Sequence, residues 1–560
     1  MTLKNRDDPT ARMQLCQAIW DLRRGIARLG GARANQISFG RMLTDPDYRA
    51  RVIHSVCESD VAELRELGEA AARCNVGELA ECPVSWDAAG RSELDIEELT
   101  RGTGAGSKEG KRGPATLAGT AVALMVFAIA GGVLSYLFSD PLAAMLAGDK
   151  VVEGPIEEST TWRAGRTYVL KDMIYVTNDS ILTIEPGATV KGEPGSALIV
   201  ARDAELRVRG KADAPVVFTS AQPKGERARG DWGGVVLLGN APVNQADAHI
   251  EGLPPEQALG DFGGQSPLGS CGLLEYARIE FAGYEIAADV ELNGLTLGGC
   301  GSATVVRNVQ VHKALDDGVE IFGGNVNLKR VVVTGAGDDA LDLDLGWTGN
   351  AQFVVLQQHG DAGDNAIEAD NSHDDTNRND HTATPRTEPT IANASLIGSV
   401  KQGTGQRAIT LRSGTGADFR NMIVSGFPLE LLDIRDAATA EMVAAGRLRF
   451  NGVIVHRIGP DGQRYAMAET QASDADDDDA GFDELAFLQS SNARLGTDPR
   501  LPDDAHNALA PRFEPGRDSP ALEGAVSVPK GEFWNEGADF LGAVDPQTER
   551  SWVQGWTAFP

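Results

Sequence analysis

Short β-branched runs separated by Gly, Asn and Asp recur at a fixed offset between residues 307 and 371. Asn308-Val309-Gln310-Val311-His312 leads to Leu315-Asp316-Asp317-Gly318-Val319-Glu320-Ile321. Twenty-two residues later Arg330-Val331-Val332-Val333-Thr334 leads to Gly337-Asp338-Asp339-Ala340-Leu341-Asp342-Leu343-Asp344. Another offset of 22 reaches Gln352-Phe353-Val354-Val355-Leu356, which leads to Asp364-Asn365-Ala366-Ile367-Glu368-Ala369-Asp370 after four extra residues. A unit of this length cannot bury its own apolar face, and stacking successive units does so; the pattern predicts an all-β parallel β-helix with one coil per repeat.

The same rhythm, less regular, extends both ways. Ile181-Leu182-Thr183-Ile184, Ala197-Leu198-Ile199-Val200 and Val235-Val236-Leu237-Leu238 are earlier strands, each ended by Gly, Pro or a charge. Asn393-Ala394-Ser395-Leu396-Ile397, Asn421-Met422-Ile423-Val424 and Asn451-Gly452-Val453-Ile454-Val455 are later ones, and their offsets of 28 and 30 imply inserted loops. Residues 429–448 read as a helical excursion. The expected coils span 161–525, followed by a C-terminal cap over 526–560.

A different period governs the N-terminus. Leu15, Ile19, Leu22, Ile26 and Leu29, then Val52, Val56 and Val61, follow helical spacing, so residues 1–98 form a small α-helical domain. A Gly, Ser and Lys linker covers 99–115. Residues 116–138 carry no charge over 23 positions, enough to cross a bilayer of about 30 Å. Lys108, Lys111 and Arg112 precede this run and Asp140 follows it. The positive-inside tendency then puts the helical domain in the cytoplasm and exports everything after the 139–160 spacer. A cleaved leader is the rival reading, and more than a hundred preceding residues speak against it.

Charge sharpens this division. The chain of 560 residues has a net charge of -30, and residues 116–560 hold 34 basic against 63 acidic side chains. So acidic a surface disfavours nucleic acid and anionic lipid and suits cations or basic partners. Cys16, Cys57, Cys74 and Cys82 lie on the cytoplasmic side with no zinc spacing and read as buried thiols. Cys271 and Cys300 are exported, and aligning Ile279 with Val309 places them nearly above one another; a disulfide is expected, with two small core residues as the alternative.

In stacked coils equivalent residues sit about 4.8 Å apart. Asp316, Asp338 and Asp364 form one column; Asp317, Asp339 and Asn365 a second; Glu320, Asp342 and Glu368 a third; Asp344 and Asp370 a fourth, where the first copy has Phe322. Like charges about 5 Å apart repel by about 3 kcal/mol per pair at an effective dielectric of 20. The columns therefore call for a cation, protonation or full solvation. Oxygen-only donors suit Ca²⁺, making these ten acids the candidate metal ligands, with no Lys or Arg at equivalent positions in the three copies. The bland alternative is a ladder of Asx side chains bonded to turn backbone.

Leu182-Thr183-Ile184-Glu185-Pro186-Gly187, Gly230-Asp231-Trp232-Gly233-Gly234, Tyr276-Ala277-Arg278-Ile279-Glu280-Phe281-Ala282-Gly283, Asn293-Gly294-Leu295-Thr296-Leu297-Gly298-Gly299 and the closing Gly555-Trp556-Thr557 resemble a family of bacterial envelope proteins, many lipoprotein-like. The resemblance covers roughly 160–560 and implies a right-handed parallel β-helix, while implying little about activity. This chain departs from that family in its membrane anchor and its cytoplasmic domain. Gly337-Asp338-Asp339, with Asp317 one coil before and His359-Gly360 one coil after, also resembles polygalacturonase-like glycoside hydrolases, in which the acids protonate the glycosidic oxygen and activate water. The paired basic motif expected further on is absent. A polysaccharide lyase needs a basic residue beside a calcium-bound uronate, for which Arg412 or Arg420 are the candidates.

The expected function is binding or scaffolding at a carbohydrate or protein surface of the cell envelope, with a protein partner for the cytoplasmic domain. A glycoside hydrolase or lyase is the alternative, with Asp317, Asp338, Asp339 and His359 as its catalytic set.

Overall fold

The computed structural model describes residues 46–57, 65, 148–254, 258–287, 290–372, 381–466, 479 and 481–560. Most of the expected helical domain, the linker, the 116–138 span and residues 139–147 lie outside the described residues. Within the first hundred positions the helix Pro46–Cys57 is described, and Val52, Ile53 and Val56 form its buried side. Among the described residues no helix is long and apolar enough to cross a membrane.

From Lys150 onward the chain winds into coils, so the strands Lys150–Val152 and Thr160–Trp162 begin inside the stretch expected as a spacer. Among the described residues fifteen strands form one sheet and nine form a second, and every pairing within these two sheets is parallel. One coil shows why this sequence does so. Val309 and Val311 point inward from the long sheet, Val319 and Ile321 from the short one, and Val326 and Leu328 from the return, all at 2% exposure or less. Each such side chain contributes about 1.5–3 kcal/mol on leaving water. Between them the polar positions point out or into turns, so the inside of the solenoid is a continuous apolar stack. Trp232 and Trp347 are wholly buried and donate their indole N–H to the carbonyls of Glu280 and Val326.

The long strands bend at one position per coil. Tyr276, Asn308, Arg330, Phe353, Asn393, Asn421 and Gly452 all have positive φ, between 50° and 68°, and the strand register resumes on either side of each. Asn and Gly adopt this conformation at little cost, whereas Arg330, Phe353 and Tyr276 are held there by the coils above and below. This corner corrects the expected alignment. Val331 pairs with Val354, an offset of 23, so Arg330 lies beside Phe353 and the third copy is shifted by one residue. Ile279 likewise pairs with Val311, and Met422 with Val453.

The disulfide is present. Cys271 and Cys300 are joined with their Cα atoms 5.7 Å apart, tying the start of one long strand to the turn after a short one. The excursion expected over 429–448 is mixed: Glu430–Ile434 is a strand of the short sheet, and only Ala437–Ala444 is helical, capped by Asp436.

Strands end at Leu495, short of the expected boundary at 525. Beyond it the chain runs back along the outer face of the long sheet, so the expected cap over 526–560 is a strap. Its Phe513, Ala543, Val553 and Trp556 cover Val332, Val355 and Ile397. Gln310 donates to the Ala558 carbonyl at 2.7 Å and accepts from its N–H at 2.9 Å, and the Asn421 amide does the same with Val526.

Candidate functional site

The acidic columns lie along the short sheet and the turn leading into it. Glu320 pairs with Asp342 and Asp342 with Glu368, and Phe322 pairs with Asp344, as the repeat implied. Strand alternation sends Leu341 and Leu343 into the core and Asp342 to the outer face. Seven of the ten candidate acids fall into three groups whose carboxylate oxygens lie within 4.8 Å of one another: Asp316, Asp317 and Asp338; Asp317, Glu320 and Asp342; Asp342, Glu368 and Asp370. Asp339, Asp344 and Asp364 join none of these groups. Buried Asp344 turns to the N–H of Leu345 at 2.5 Å, and Asp364 lies 3.9 Å from Arg407.

The second column is a ladder. Asn293 Oδ1 accepts the Asp317 N–H at 3.1 Å, Asp317 Oδ1 accepts that of Asp339 at 2.9 Å, and Asp339 Oδ1 accepts that of Asn365 at 2.6 Å. Asn365 Oδ1 then accepts the Thr410 hydroxyl at 2.7 Å. Each coil thus satisfies a buried backbone donor of the next. The amides at the ends reach sideways into the third column, Asn293 donating to Glu320 and Asn365 to Glu368.

Burial is the largest influence on these acids and raises all of those described next. Asp317, Asp339 and Asp342 are pushed well above the usual carboxylate range, first by burial and then by neighbouring acids. Asp316 is pushed up to about 7 by burial, Asp338 and Glu251. Glu368 reaches about 8 despite Arg412, and Asp370 about 6. Burial and mutual repulsion thus both favour the protonated form along this face.

The absence of a neutralising base holds only within the three copies. The following coil brings Arg412 into register with Asp370, where its guanidinium bonds Asp370 at 2.6 Å and also Glu368. Burial opposes that charge, but Asp370 and Glu368 outweigh it and keep Arg412 protonated. The other basic candidate, Arg420, lies on the long sheet and pairs with Asp418.

His359 does not join Asp317, Asp338 and Asp339. Its ring is buried, 6.0 Å from that of His312, and burial, Arg229 and Lys313 hold it down to about 4 against the pull of Asp361. Asp338 and Asp339 lie together, with the Asp339 carboxylate already engaged in the ladder.

Two participants escape a reading of the repeat alone. Asn293 begins the ladder, and its signal was the Asn293-Gly294 dipeptide that matches Asp317-Gly318. The loop between the strands Val235–Leu238 and Gly272–Glu280 flanks the face, with Phe262 packed on Phe322 at 5.7 Å, and it has no repeat to reveal it.

A family model described as a pectate-lyase-like β-helix domain matches residues 154–489. No curated protein and no solved structure matches the chain.

Proposed function

Because the chain belongs to the pectate-lyase-like β-helix family, we propose that it is a membrane-anchored, exported β-helix that binds carbohydrate or an envelope protein through the acidic face of its short sheet. The observation that carries this reading is the register of Glu320, Asp342 and Glu368 along one outward face, one coil apart, at the spacing of a parallel sheet. An extended ligand with a regular repeat meets the same chemistry at successive rungs there. Hard cations such as Ca²⁺ suit the all-oxygen groups and would allow the face to hold an anionic polymer, with Asp317, Glu320, Asp342, Glu368 and Asp370 as ligands. The uncharged run at 116–138 supports the anchor, and the helical periodicity before it supports a cytoplasmic domain with its own protein partner.

A lyase is the second reading, favoured by Arg412, which borders the acidic groups while Arg420 does not. Against proton abstraction by Arg412 stands its double pairing to Glu368 and Asp370, which keeps it charged.

The test is co-sedimentation of the full chain with insoluble acidic and neutral polysaccharides, with and without Ca²⁺, followed by assay of the supernatant for reducing ends and unsaturated products. Retention that needs the acidic face and yields no products supports binding. Unsaturated products abolished by Arg412→Lys would replace that reading with the lyase, and no retention on any polymer would remove the carbohydrate arm.

A further inference from the structure

Beside the acidic face, the loop between the strands Val235–Leu238 and Gly272–Glu280 borders a half-open cavity of about 500 Å³, lined by residues 243–248, residues 261–265 and Arg202. That volume lies within the range of about 300–1,000 Å³ typical of small-molecule pockets. The loop is held in place on both sides. Its Asn244 N–H donates to the Leu345 carbonyl at 3.1 Å, and its amide donates to the Asn371 carbonyl at 2.5 Å, next to Asp370 of the acidic face. On the other wall His249 Nδ1 lies 2.7 Å from Asp261 Oδ1 and its Nε2 lies 3.1 Å from the Leu253 carbonyl, which fixes the Asp261 carboxylate in position.

The polar groups of this cavity are not saturated by the protein. Arg202 has five N–H donors, yet its contacts here are long, 3.4 Å to Asp261 and 3.5 Å to the Gly263 carbonyl. Gln245 is half-buried, and its side-chain amide makes no hydrogen bond among the described residues. Charge narrows the ligand class. One guanidinium faces two carboxylates, Asp247 and Asp261, so the cavity has no surplus positive charge to attract an anion. Phe262 is buried against Phe322 and offers no open ring for a flat aromatic ligand. What remains is a surface of donors and acceptors matched to hydroxyl groups, which act as both.

We propose that this cavity is a binding subsite for a neutral, hydroxyl-rich sugar unit, with Arg202 and Gln245 donating to its oxygens and Asp247 and Asp261 accepting from its hydroxyls. It deepens the carbohydrate reading of the neighbouring face and rests on it. The two differ in ligand: the face suits a cation-bridged polymer, the cavity an uncharged unit.

Ligand-observed NMR and calorimetry on the full chain in detergent, with lactose as the neutral probe and glucuronate and glucosamine as charged comparators, test this. Lactose should saturate at millimolar concentration and exceed both comparators. Arg202→Met and Gln245→Ala should each weaken it about tenfold or more, while polymer retention through the acidic face persists. Gln245 makes no side-chain hydrogen bond among the described residues, so Gln245→Ala should leave the fold intact, which an unchanged melting temperature verifies. Failure of lactose to saturate, tighter binding of glucuronate, or undiminished lactose binding in both variants overturns the subsite. Loss of lactose binding in Asp342→Asn with retention in Arg202→Met moves the sugar to the acidic face and overturns it too.

Discussion

Replacing Asp342 by Asn removes a carboxylate that, like Asp317, is shared by two of the three acidic groups, while keeping its size and its place on the strand. In the parent, Asp342 stands between Glu320 and Glu368 in register. Two like charges about 5 Å away would each repel it by about 3 kcal/mol at an effective dielectric of 20. Asp342 is half-buried and solvent screens part of this repulsion, so a net gain of about 1–2 kcal/mol on substitution is the reasonable size at pH 8. The sign with pH follows from the raised carboxyl groups. Glu368 moves from 4.5 to about 8 and Asp316 from 3.8 to about 7 on folding. Groups raised in the folded state stabilise it fully below their ordinary values, and that contribution is lost as pH rises through the folded ones. The parent should therefore weaken from about pH 4.5 to about pH 8, and Asp342→Asn should weaken less. Urea denaturation of both proteins in chelator at intervals across that window measures the difference. Adding Ca²⁺ at about 100 times its dissociation constant should return about 2.7 kcal/mol to the parent if the face binds it, and much less to the variant. A variant less stable than the parent at pH 8 in chelator, or an offset that does not change with pH, refutes the reasoning.

Further tests separate the ladder, the cross-link and the topology. Asp339→Asn keeps an acceptor for the Asn365 N–H and should leave the urea midpoint unchanged or higher, whereas Asp339→Ala strands that buried donor and should cost about 1–3 kcal/mol. Cys271→Ser with Cys300→Ser should lower stability by about 2–4 kcal/mol, and mass spectrometry of unreduced parent protein should recover the paired peptides. Protease added to intact spheroplasts should remove the chain beyond about residue 139 and spare the N-terminal part, by the positive-inside tendency; digestion of the N-terminal part first would reverse the assigned orientation.

The columns were legible because a coil repeats its chemistry at its own period. Glu320, Asp342 and Glu368 could be stacked from spacing alone, and the structure stacks them. The phase of the third long strand was not legible. Val331-Val332-Val333 and Val354-Val355-Leu356 match equally well with a shift of one, since an apolar run carries no alternation to fix its face. What sets the register is the bend at Arg330 and Phe353, and neither residue type advertises positive φ as Asn308 does. Arg412 was visible as a basic residue but not as the partner of Asp370, because the intervening insert hides the coil length of 42 residues. A closing element was legible over 526–560, but its course along the long sheet was not, since Phe513, Ala543 and Trp556 follow no period and meet residues more than a hundred positions earlier. The sugar-unit cavity is likewise built from a loop whose polar residues acquire a common focus only when Asn244 is pinned to the acidic side.

The strap also sets an order in time. From Gly272–Glu280 to Asn350–Gln357 neighbouring coils of the long sheet close over separations of 22–32 residues, so they can form as the chain emerges. The bond between Gln310 and Ala558 spans 248 positions and must wait for the last residues. Until then Val332, Val355 and Ile397 face water on a finished row of strands. A chain whose coils form in order would thus carry a sticky, half-dressed intermediate from the completion of these strands until residues 513–556 follow. Only the closing segment seals that flank, so the outer face of the long sheet stays sticky until it docks.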